Sequence, residues 1–230
     1  MVVELFRKNP GMFPSDFVGI AKLEQVCKQL KEIDVLKWFD KKYKLLINRD
    51  ANYPLGLRDA KEPVEVLYYS GNVDCLNSKR ISVMGHRKPS DQGLLRAEQI
   101  TRKLIADKFT IVSGLAEGID TIAHQTAINN GGQTIAVIGT PLDICFPAAN
   151  KALQKIIGDS HLLISQVPFI RYRMQKFEVT RGFFPERNKT MSALSQATII
   201  IEAAERSGTL VQATAALQQG RKLFILELFQ

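Results

Sequence analysis

Ile111–Gly139, IVSGLAEGIDTIAHQTAINNGGQTIAVIG, decides the fold. Ile111 and Val112 form a short apolar run that stops at Ser113-Gly114, and Gly118 opens the next segment. Ile119, Ile122, Ala123 and Ala127 then recur at helical spacing until Asn129-Asn130-Gly131-Gly132 breaks the pattern. Thr134–Ile138 is short, β-branched and apolar at successive positions, as expected of a strand buried on both faces. Strand, crossover helix and strand make a βαβ unit. Its first turn is glycine-rich, so backbone N–H groups can approach an anion where the helix starts.

The flanking chain repeats this unit. Strands are expected to begin near Ile81, Thr110, Thr134, Leu162, Thr198 and Lys222, with helices near 91–107, 118–130, 148–158, 187–195 and 208–219. Such alternation predicts an α/β fold: a Rossmann-like parallel sheet with helices on both faces, spanning residues 80–230. Ligands on such sheets bind beyond the carboxyl ends of the strands. Val167 to Lys189 breaks the alternation and reads as a long irregular insertion, usually a functional or disordered feature. Residues 51–79 read as a connector with a short strand, Val64 to Tyr69. Residues 1–50 read as a small helical region, with Phe17, Ile20, Leu23, Val26, Cys27 and Leu30 on one helix face. The chain stops at LFILELFQ, barely past a strand, which reads as a fragment or a shortened variant.

Composition narrows the class of function. No apolar run reaches the roughly 18 residues of a membrane span, and MVVELFRKNP lacks a signal-peptide layout. Cys27, Cys75 and Cys145 are far apart with no CxxC, which fits reduced thiols in a cytoplasmic protein and excludes a disulfide framework. Lys and Arg number 31 against 23 Asp and Glu, a formal +8, so a polyanion partner is worth testing.

Each turn has a functional and an ordinary reading. Gly85-His86-Arg87 is either a close-approach phosphate turn, with Arg87 as a bidentate donor, or a βα loop with a solvated arginine. Ser113-Gly114 and Gly118 form neither GxGxxG nor a P-loop, so no nucleotide cofactor is implied, though a generic anion nest remains open. Asp120 and His124 share a helix face; a local hydrogen bond fixing the helix start outweighs catalysis, because no nucleophile or further metal ligand accompanies them. Phe146-Pro147 followed by Lys151 suits base stacking plus phosphate contact, or Phe146 is core. Ser207-Gly208 opens a helix and is another candidate anion site.

Arg171–Lys189, RYRMQKFEVTRGFFPERNK, carries the strongest compositional signal. Arg171, Arg173, Lys176, Arg181, Arg187 and Lys189 face only Glu178 and Glu186, and Tyr172, Phe177, Phe183 and Phe184 are interleaved. Cations interleaved with aromatics are a common means of holding a single nucleic-acid strand.

Taken in order, SVMGHRKPSDQG, the Ile111–Lys151 stretch, LLISQVPF, FPERNK and IIEAAERSGTLVQATAALQQGRKLFIL resemble the DNA-processing protein A family (DprA/Smf). The resemblance begins near Tyr53 and implies a Rossmann domain that binds single-stranded DNA, works with the RecA recombinase in natural transformation, forms a homodimer and is not an enzyme. By position it implies DNA contact at Gly85, His86, Arg87, Ser113, Gly114, Lys151, Arg187, Asn188, Ser207 and Gly208, joined by Arg171 and Arg173 of the basic stretch. His86 departs from the small hydroxyl residue usual there, Phe146 from tyrosine and Lys189 from arginine. The alternative is a nucleotide-sensing module or a phosphoribohydrolase of the LOG type on the same fold. Its Gly-Gly-x-Gly-Thr-x-x-Glu motif parallels Ser207–Gln212, but Gln212 stands at the glutamate position, and an amide cannot act as a general base.

Overall fold

The computed structural model describes residues 43–48, 53–60, 64–204, 208–226 and 228–229. The helices read in residues 1–39 lie outside them. In chain order the elements are β1 (Lys44–Ile47), α1 (Leu55–Arg58), β2 (Val66–Gly71), β3 (Arg80–Met84), α2 (Asp91–Ala106), β4 (Thr110–Ser113), α3 (Ile119–Asn129) and β5 (Thr134–Ile138). There follow α4 (Lys151–Ser160), β6 (Leu162–Ser165), α5 (Phe169–Met174), α6 (Phe177–Thr180), α7 (Phe183–Leu194), β7 (Ala197–Ile200), β8 (Ala203–Ala204), α8 (Gly208–Gln218), β9 (Lys222–Ile225) and β10 (Leu228–Phe229).

Six strands run parallel in the order β6-β5-β4-β3-β7-β9. The sheet therefore grows to one side of β3 through β4, β5 and β6, then returns to its other side with β7 and β9. That reversal is the topological switch point where open α/β sheets place their ligands. Strand alternation sorts the core. Ile111 packs with Ala97, Ile119 and Ala123 under α2 and α3, while Val112 faces Met191 and Leu194 of α7. Both strand residues are fully buried, the consequence of helices on two faces.

Three segments differ from the sequence reading. Lys44–Ile47, inside the stretch read as helical, is a strand; four residues are too few to show a period. It pairs antiparallel with β2, and β2 pairs antiparallel with β6, so the stretch read as a connector supplies a strand of the same eight-stranded sheet. The insertion is helical rather than irregular: α5 and α6 have six and four residues, too short for helical periodicity to be legible. Helix α7 starts at Phe183, ahead of Pro185, because a proline in the first turn gives up no helical hydrogen bond.

Candidate nucleic-acid interface

The glycine turns at the strand ends are filled from within. After β4, the Gly114 and Ala116 amides donate to the Asp120 carboxylate at 3.1 and 3.4 Å. Ser113, fully buried, donates its hydroxyl to the Val83 carbonyl at 2.7 Å. The anion nest expected here is thus occupied by the chain's own carboxylate. Asp120 does fix the helix start. His124 takes a different partner, its ring Nδ1 lying 2.7 Å from the Thr134 hydroxyl across on β5. Burial drives the His124 pKa down to about 3, so the imidazole is neutral.

The turn after β3 divides into packed and open parts. A Cβ on Gly85 would come within 2.8 Å of the Ile119 side chain, so this glycine lets α3 close on the turn. The His86 carbonyl accepts from the Ile119 amide at 3.3 Å, and its ring Nδ1 lies 2.6 Å from the Lys88 carbonyl. Arg87 and Lys88 project into solvent. At the start of α2 the Ser90 amide donates at 3.0 Å to Glu202, a fully buried carboxylate from the end of β7, and the Ser90 hydroxyl also donates to it. The helix N-terminus at the switch point, where a phosphate would bind, already holds an anion.

Arg187 carries the largest correction. It is 5% exposed, and its Nη1 donates to the Gly114 carbonyl and, at 2.9 Å, to that of Val137. Burial lowers its pKa to about 10, opposed by Asp120 and reinforced by Arg87. Asp120 is raised by its own burial and lowered by Arg187 and the two amides. A Cβ on Gly114 would overlap the Arg187 guanidinium, so glycine is required here for close approach. Arg187 therefore sits beneath the surface as a clamp between α7, β4 and β5, not as an exposed phosphate contact. Asn188, also buried, donates at 2.8 Å to the Gly208 carbonyl and ties α7 to α8. Gly208 itself is exposed at the start of α8, and Ser207 lies outside the described residues.

What remains open is a cleft beyond the ends of β3, β4 and β5, bordered by Arg87, Glu117, Phe146 and Phe184 and floored by Gly114 and Arg187. Phe146 is 51% exposed and packs on Phe184 with the rings tilted by 55° and their centroids 5.5 Å apart. It is not core. Gly139 makes room for Phe184, since a Cβ there would stand 2.7 Å from that ring. Lys151, exposed, opens α4 just beyond Phe146-Pro147. Arg173 is held by an ion pair to Asp143, and Arg171 lies on α5. The structure thus gathers Arg87, Gly114 and Arg187 at one cleft, with Lys151 beside it, leaves Gly85 packed against α3, and assigns Asn188 and Gly208 to the α7–α8 junction. Sequence reasoning missed Glu117 and Glu202; isolated carboxylates in turns carry no periodic signal.

The family model for DNA recombination-mediator protein A matches residues 44–229. The chain belongs to that family. It is 39% identical over 221 residues to the DNA processing protein DprA of Streptococcus pneumoniae, covering 95% of this chain and 71% of that protein. It is 33% identical over 216 residues to the protein Smf of Synechocystis, covering 90% of this chain but 53% of the relative. The X-ray structure of pneumococcal DprA superposes with a TM-score of 0.78 at 34% identity, over 97% of this chain and 79% of that one. A Helicobacter pylori DNA processing protein A, solved for its single-stranded DNA binding mode, gives 0.68 at 29% identity over 80% of each chain.

Proposed function

We propose that this chain binds single-stranded DNA across the strand-end cleft, as a DNA-processing protein of the DprA type. One observation carries the reading: the Asp120 and Glu202 carboxylates fill the turns from within, while Arg87, Phe146 and Lys151 stay exposed. Exposed cations draw phosphates, and an exposed aromatic offers a face to an unpaired base. Duplex bases are stacked already and gain nothing from Phe146. The likeness to the Helicobacter pylori protein supports the same ligand.

Family resemblance extends the proposal to natural transformation with RecA in the cytoplasm. Among the described residues no helix is long and apolar enough to cross a membrane, and burial raises the Cys75 and Cys145 thiols, which suits inert reduced cysteines. A homodimer fits the outer edge, where Leu217, Phe224 and Ile225 are exposed by 66, 53 and 42% beside the terminal strand β9. Light scattering showing only a 25.8 kDa species at micromolar concentration would remove the dimer from the proposal. The reading assigns no catalytic group. Gln212 is fully buried and donates to the Ser82 hydroxyl at 2.7 Å, away from any ligand, so incubation with adenosine monophosphate should release no adenine.

The direct test is titration of labelled single- and double-stranded DNA at two salt concentrations. Neutralising some four to six phosphates gives a slope of log affinity on log salt of roughly −3 to −4 for a single strand. Equal affinity for duplex would reduce the cleft to a general polyanion patch.

A further inference from the structure

Glu117 is an exposed carboxylate at the rim of the cleft, and among the described residues it forms no hydrogen bond or ion pair. An unpaired acid is a poor neighbour for a phosphate backbone, yet the loop that carries it is held with unusual care. Leu115, just ahead, is fully buried in the left-handed region at φ 59°, a conformation that costs a non-glycine residue about 1 kcal/mol or more. Asn150 donates to the Leu115 carbonyl at 3.0 Å, Thr121 to that of Ala116 at 2.7 Å, and Asp120 takes the Ala116 amide. Gly118, at φ 74°, lets the loop press on the preceding turn: a Cβ there would lie 2.7 Å from the Arg87 carbonyl. The two turns interlock, so Arg87 and Glu117 are presented to the cleft in a fixed relation.

The charge balance inside the cleft points to a base rather than a phosphate. Arg187 is offset by buried Asp120, Glu117 adds a negative charge at the rim, and the walls are Phe146 and Phe184. Phosphates are better served outside, by Arg87, Lys88 and Lys151, which are exposed. A base stacked on Phe146 would present its hydrogen-bonding edge to the polar rim. An ionised carboxylate only accepts, and it has two oxygens side by side. Guanine alone offers two adjacent donors, N1–H and the exocyclic N2 amine. In adenine and cytosine the amine is flanked by a ring acceptor, and in thymine the single N3–H lies between two carbonyls.

We propose that Glu117 makes this cleft a guanine-preferring base pocket within the strand-binding surface. The inference rests on the single-stranded DNA reading above. It is tested by comparing a short oligothymidylate with the same strand carrying one deoxyguanosine, deoxyadenosine or deoxycytidine, against the wild-type chain, Glu117→Gln and Glu117→Asp. The wild type should bind the deoxyguanosine strand about tenfold more tightly than the other three, within the range of a bidentate base contact. Glu117→Gln should lose that preference while binding oligothymidylate as tightly or more tightly, since a repulsion is removed. Glu117→Asp, which keeps the charge but shortens the reach, should lose the preference without that gain. A wild type indifferent to the base, or a Glu117→Gln variant that retains the preference, overturns the proposal and leaves strand binding intact. Failure of the wild type to bind any of the strands would overturn the DNA reading, and this inference with it.

Discussion

Arg87 and Arg187 border one cleft and have opposite surroundings. Arg87 leaves a short turn whose backbone is locked by α3, so its side chain has nowhere to go but solvent. Arg187 lies in the second turn of α7, a helix packed on the sheet, and its guanidinium is drawn in by the Gly114 and Val137 carbonyls and by Asp120. One arginine is exposed; the other is buried in the scaffold. A motif match says which residue type stands at a position, but the element carrying it decides whether it meets a ligand or the core.

The contrast can be broken most forcefully at its buried end. Arg187→Ala takes the facing cation from buried Asp120 and the donor from the Gly114 and Val137 carbonyls, and should cost about 3–5 kcal/mol in denaturant unfolding. Arg87→Ala should change stability by less than about 0.5 kcal/mol. Equal effects would mean that Arg187 is not the clamp described here. On the open side, Phe146→Ala should leave the fold intact and weaken single-strand binding by about 1–3 kcal/mol, the value of one stacked base. Unchanged affinity in a fluorescence titration would take Phe146 out of the interface.

A smaller effect sharpens the buried side further. His124 binds a proton in the unfolded chain below its ordinary pKa of 6.5 but in the folded chain only near 3. The unfolded state therefore holds more protons between these values, and stability should fall as pH drops through that window, by up to about 1.4 kcal/mol per unit. Unfolding curves of His124→Gln between pH 7 and 5 should show a shallower dependence than wild type. Identical slopes would assign the acid sensitivity to other groups.

The βα alternation from Arg80 onward was legible because five helices of ten or more residues each show a period, and short apolar runs recur between them. Strand β1 and helices α5 and α6 were not, since four to six residues carry no pattern and their placement comes from tertiary pairing. At the site, Arg87, Phe146 and Lys151 could be read as candidates from residue type and turn position. The burial of Arg187 and Asn188 could not, because helix α7 was expected to start only at Arg187, and its first turn covers the position. Nor could the self-filled turns be foreseen: Gly114 with Asp120, and Ser90 with Glu202, pair residues 6 and 112 positions apart.

The central claim is that the exposed cations, not the buried motif residues, hold the DNA phosphates. It is tested most directly by the salt dependence of single-stranded DNA binding in the double substitution Arg87→Ala, Lys151→Ala, with unfolding curves confirming an intact fold. Loss of two phosphate contacts should weaken binding to every sequence alike and flatten the slope of log affinity on log salt by about 1.4. A folded double variant with wild-type affinity and wild-type slope would contradict the account and place the strand elsewhere on the molecule.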